Sequence, residues 1–268
     1  MKGINEILES YGFIYGGGYA RGLKPSFFLA ALEDKKEINH ITVFILGREY
    51  ARDLLTIPAL SQDNCIYIRK ESAMLFLWDQ IFYVKKSGRY ALKFGLKNYG
   101  LKDETPEVLH RNLSAIAANE TDTYIYHELG EMKDTGFDRE TWQEIIATFP
   151  HTPIELLTRT VKDILADTSK YGTLQHIIRE QKTASLAFYV AFLESFTKIL
   201  FPQVIDAFQK FTQTRDWNLV EEAVSEGYQN AKSSAEAIVD IYRTGREKND
   251  MKWVENEIAK RFKSCFQR

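Results

Sequence analysis

Residues 41–46 read ITVFIL, and the type of this short run decides the fold class. Its β-branched and aromatic side chains fit a pleated strand, as do those of CIYIRK at 65–70. IFYVKKSGRYALKF, 81–94, alternates apolar and polar residues around Ser87-Gly88, which is the pattern of a hairpin. GREYARDLL (47–55) and ESAMLFLWDQ (71–80) read as helices. The glycine-rich YGGGYARGLKPS, 15–26, has amides that can cradle phosphate but lacks the G-K-[ST] ending. It reads as a flexible connector in which Arg21 and Lys24 keep an anion-binding role open.

Beyond this mixed region the chain reads as helix after helix. Thr105 caps TPEVLHRNLSAIA, with Pro106 at the first helical position. Asp138 opens RETWQEIIATF, whose Trp142, Ile145, Ile146 and Phe149 keep helical spacing. Thr152-Pro153-Ile154-Glu155 is a capping box. Gly172 closes that segment, and Thr173 begins a long apolar helix running to Phe201, broken by Pro202. Amphipathic stretches follow near 216–244 and 250–266.

The expected fold is mainly α, with a helical C-terminal two-thirds (101–268) and a smaller mixed α+β N-terminal part (1–100). The boundary falls in NYGLKDETP, 98–106. An all-α chain is the alternative, because periodicity alone does not type short apolar runs.

Composition narrows the function classes. With 44% hydrophobic and 27% charged residues, the chain has the make-up of an ordinary soluble globular protein. A net charge of −2 leaves no global field toward nucleic acid or anionic membrane, so such affinity has to come from a local patch. The apolar run at 185–204 contains Glu194, Lys198 and Pro202, which fits a core helix rather than a span. MKGINEILES does not read as a secretory signal, and Cys65 and Cys265 have neither paired nor metal-type spacing. The expected compartment is the cytoplasm, with no membrane partner.

Three of the five histidines precede a glutamate by four residues: His127/Glu131, His151/Glu155 and His176/Glu180. On one helix face such a pair offers an imidazole nitrogen and a carboxylate to a divalent cation. His151 lies before its helix, and Glu155 is accounted for by the capping box. In the helix from Thr105 the core stripe runs Leu109, Leu113, Ile116, Glu120, Tyr124, His127, Glu131, so its last turns bury polar groups that need partners. In the long helix from Thr173, His176 and Glu180 share an azimuth, with Glu194 five turns above.

The expected site therefore takes His127, Glu131, His176 and Glu180 as ligands for iron, manganese or zinc. Glu128 or Glu194 would transfer protons, and the metal would activate water or dioxygen for chemistry on a small-molecule ligand. HELGE is not the H-E-x-x-H of metalloproteases, since Glu131 stands where the second histidine would be. Glu107-x-x-His110 points about 100° away from His127.

The competing reading is a non-enzymatic binding or regulatory protein with structural histidines. Residues 85–102 carry Lys85, Lys86, Arg89, Lys93, Lys97 and Lys102 without an acid, and Tyr83, Tyr90, Phe94 and Tyr99 are interleaved. A partner or anionic ligand would dock there. Nucleic acid is not the expected partner, because a hairpin would keep its lysines in water and its aromatics in the core.

Overall fold

The computed structural model describes residues 2–19 and 24–266. The fold is mainly α, with a smaller α+β N-terminal region built on one five-stranded curled sheet, which sets the all-α alternative aside. The chain divides into two compact units, one formed by residues 1–132 and 182–192, the other by 133–181 and 193–268.

The first unit opens with α1 (Lys2–Glu9) and the strands β1 (Phe13–Tyr19), β2 (Pro25–Ile38), β3 (Ile41–Arg52), β4 (Ala59–Gln62) and β5 (Cys65–Arg69). Their order is β1-β2-β3-β5-β4, antiparallel except for the parallel β3–β5 pair. Two-residue turns close the hairpins β2–β3 and β4–β5: Asn39-His40 and Asp63-Asn64, all four at positive φ. Such turns match the twist of the strands, and short polar side chains tolerate the left-handed conformation. Ile14, Phe28, Ala30, Phe44, Leu46 and Tyr67 form one buried cluster of the sheet.

Several segments differ from their sequence reading. Residues 15–19 of the supposed connector are strand β1, where a Cβ on Gly16 would collide with the Phe28 ring. Arg21 lies outside the described residues. The supposed helix GREYARDLL is strand as far as Arg52, because β3 continues along β2. Three register irregularities between Leu29 and Asp34 interrupt the pairing. The strict two-residue alternation is lost with them, so β3 is buried at spacings that imitate a helix.

The supposed hairpin at 81–94 is helical. Helix α2 (Lys70–Phe82) leads through a 3₁₀ turn at Lys86–Gly88 into α3 (Arg89–Asn98). The buried positions in this run are Ile81, Val84, Gly88, Ala91, Leu92, Gly95 and Leu96, spaced by threes and fours. Gly88 and Gly95 admit α8 (Thr183–Ala191), since a Cβ would meet the Ala191 carbonyl at one and the Phe188 ring at the other.

Helix α4 (Pro106–Lys133) is continuous through ANETDT. There Asn119, Thr121 and Thr123 bond back to the carbonyls of Ala115, Ala117 and Glu120 at 2.6–3.1 Å.

The second unit comprises α5 (Arg139–Thr148), α6 (Pro153–Thr168), α7 (Thr173–Arg179), α9 (Ser195–Leu200), α10 (Gln203–Thr214), α11 (Asn218–Glu247), α12 (Met251–Arg261) and α13 (Lys263–Phe266). The expected caps are in place: Asp138 accepts from the Thr141 amide at 2.9 Å, and Thr152 from that of Glu155 at 3.3 Å. Glu155 reaches back to the His151 amide at 2.6 Å. Helix α11 packs against α5, α6, α7, α10 and α12, and Phe201 fills the gap left by Gly227.

The long helix expected from Thr173 to Phe201 is three pieces, α7, α8 and α9. Gln181 takes a left-handed conformation at φ 50°, which ends one helix and redirects the chain. Among the described residues no helix is long and apolar enough to cross a membrane.

Candidate functional site

Glu120, on the α4 stripe, meets its partners inside the first unit. Glu120 is buried, and one carboxylate oxygen accepts from the Tyr99 hydroxyl and, at 2.7 Å, from Ser185 Oγ. The oxygen thus ties together α4, the end of α3 and α8. Burial pushes the Glu120 carboxyl above the usual carboxylate range, although the Tyr99 and Ser185 hydrogen bonds and the Lys182 ammonium oppose the shift. Burial likewise raises the Tyr99 and Tyr124 phenols, with the Glu120 charge adding to the effect in both. Lys182 donates to the Asn119 carbonyl at 2.7 Å and lies 3.9 Å from Asp122.

Further along α4, His127 Nε2 is 4.0 Å from Glu131 Oε1, and both side chains are half-buried. Glu128 stands beside them, also partly buried. In the second unit the structure does not bring His176 and Glu180 together as a ligand pair. His176 is buried, its Nδ1 is 3.0 Å from an Arg179 guanidinium nitrogen, and Arg179 Nε donates to Glu180 at 3.0 Å. A fixed cation thus stands where the metal was expected. Glu180 and Glu194 are exposed, and the break at Gln181 removes the five-turn alignment between Glu194 and His176.

A second buried polar cluster was absent from the sequence reading. Glu49 accepts from Arg69 Nε at 2.9 Å and Nη2 at 3.0 Å, a bidentate pair, and from Ser72 Oγ at 2.9 Å. Arg52 Nε is 3.2 Å from the same carboxylate, whose side chain is only 1% exposed. The Arg69 guanidinium lies 4.9 Å over the Phe28 ring. Glu71 also accepts from the Glu49 amide at 2.8 Å, so the first turn of α2 is fastened to β3. The available signal was Arg69 at the end of a run suited to a strand, whereas Glu49 and Arg52 lay in a segment that reads as a helix.

The third candidate is a surface. Because 81–98 is helical, its aromatics are not all gathered into a core: Tyr83 is 80% exposed, Tyr90 60% and Phe82 45%. Lys85, Lys86, Arg89, Lys93, Lys97 and Lys102 are exposed as well, and Glu104 lies 3.8 Å from Lys93. The Trp78 and Phe82 rings stack at 4.9 Å, Tyr83 meets Phe82 edge-on, and His110 meets Trp78 edge-on. An open recess of about 390 Å³ lies there, lined by Trp78, Pro106, Glu107, His110 and Arg111.

The sequence matches one family along most of its length. Residues 1–69 match the N-terminal domain, and residues 74–261 the C-terminal domain, of the family described as "Family of unknown function (DUF6866)". The chain belongs to that family. No curated protein and no solved structure matches it. The junction of the two family domains falls in the first turn of α2, next to the Arg69–Glu49 pair.

Proposed function

We propose that the protein is a binding module that engages an anionic partner through the basic, aromatic face of residues 78–111. The exposure of Tyr83 and Tyr90, at 80% and 60%, among six bases carries this reading. Tyr83 and Tyr90 present most of their surface to solvent beside these cations, and on an interface such aromatic side chains are the ones that contribute most. Six cations in eighteen residues create a local field that the overall charge of −2 conceals. The unpaired Cys65 and Cys265 support a reducing, cytoplasmic setting.

The test is retention on immobilised heparin as a polyanion probe. The wild type elutes at a higher salt concentration than the triple variant Lys85→Glu, Lys86→Glu, Arg89→Glu. Co-elution of the two would overturn the reading.

The His127–Glu131 pair favours a second reading, a divalent-metal site that serves small-molecule chemistry. An imidazole and a carboxylate 4.0 Å apart on one helix face need only a rotamer adjustment to share an iron, manganese or zinc ion. Elemental analysis of untagged protein should then find an ion that His127→Ala removes. Because Arg179 occupies the space beside His176, His176→Ala should leave the ion in place. Metal-free protein after incubation with each ion would end this reading.

A further inference from the structure

Resting on the first of these readings, we infer that the 78–111 face takes a single strand of nucleic acid, with bases stacked on its exposed rings and phosphates held by its lysines and arginine. Three observations choose this occupant over other polyanions. Trp78 and Phe82 stack on one another at 4.9 Å and Tyr83 meets Phe82 edge-on, which leaves Tyr83, 80% exposed, as the ring whose surface is open to a base. Lys85 and Lys86 lie two and three residues beyond Tyr83 and Arg89 opens α3, all three exposed, so the same segment supplies cations for phosphates. The recess beside Trp78 adds Glu107, His110 and Arg111, which can donate to and accept from an unpaired base edge.

The alternatives use less of this surface. A duplex keeps its bases stacked on one another, so the rings would find no partner. An acidic peptide would use the cations and leave the rings idle. An anionic bilayer would take the rings and cations but has no use for a recess with hydrogen-bonding walls.

The experiment uses the full chain and fluorescence anisotropy with a labelled mixed-sequence 20-mer, as single-stranded RNA, single-stranded DNA and duplex. Vesicles containing phosphatidylserine run in parallel. The single strands should bind at least tenfold more tightly than the duplex or the vesicles. Tyr83→Ala, at a side chain in solvent, should weaken single-strand binding by roughly 5- to 100-fold, the range expected for one lost base stack. The triple charge reversal should flatten the dependence of log K on log salt by about two units or more, since each phosphate contact on a single strand contributes about 0.7.

Equal affinity for duplex and single strand would overturn the inference, as would a Tyr83→Ala variant that binds like the wild type, binding to the vesicles alone, or no binding to any probe. In each of these cases the binding-module reading would stand as long as heparin retention still depends on the three bases. Failure of that retention would remove the reading itself.

Discussion

Replacing Glu49 by leucine is expected to destabilise the protein by about 3–5 kcal/mol, the range for breaking a buried ion pair from one side. The Arg69 side chain is 0% exposed, so without Glu49 its guanidinium would remain in the sheet with no carboxylate to accept its two hydrogen bonds. Arg69→Met should cost less, because Arg52 at 3.2 Å and Ser72 at 2.9 Å continue to serve the Glu49 carboxylate. The double variant Glu49→Leu, Arg69→Met should recover much of the loss, since it removes both desolvated charges together. Urea unfolding of the four proteins gives the coupling directly. Losses that simply add would show that the pair is not what joins β3, β5 and α2.

The second large effect concerns Glu120. Glu120→Ala strands the Tyr99 and Ser185 hydroxyls, which both donate to it, and leaves a void, at a cost of about 2–4 kcal/mol. Glu120→Gln keeps an acceptor and the volume while removing the charge. The pH dependence separates the two effects. Because burial raises the carboxyl in the folded protein above its unfolded value, the folded state holds the proton more tightly. The contribution of Glu120 is therefore fully present below the unfolded carboxylate range, near pH 4.3, and is lost as pH rises through its raised folded value. Wild type should lose stability relative to Glu120→Gln as pH rises over that interval, as read from thermal melts in matched buffers. A constant difference would mean that the carboxyl titrates normally where it sits.

The sequence made some of this legible and concealed the rest. Helix caps are local chemistry, a side-chain oxygen within three residues of the amide it serves, so Asp138 and Thr152 could be read from the chain alone. The stripe on α4 was legible as far as Glu120, and beyond it the buried positions move to Ile125 and Leu129 while His127 and Glu131 are half-buried. What partners that stripe was not legible, since Ser185 lies sixty-five residues away from Glu120. The hairpin reading of 81–94 failed because lysines fell between apolar residues at intervals that suit both periods. Only the packing of Gly88 and Gly95 against α8 distinguishes them. GREYARDLL failed for the opposite reason: irregular pairing with β2 removed the alternation that would have marked a strand. The alignment of Glu194 over His176 depended on one long helix, and one left-handed residue, Gln181, was enough to break it.

The place of α8 in the first unit has a bearing on how the protein is made. Residues 182–192 belong with 1–132, although the intervening segment belongs to the other unit. A ribosome that has finished residue 132 has therefore not supplied everything that unit needs. Gly95 and the side chain of Tyr99 wait for Ala187 and Phe188 to cover them. At 5–20 residues per second that wait lasts roughly 3–12 s. Throughout it the nascent chain presents an apolar helix face, and Glu120 lacks its Ser185 donor.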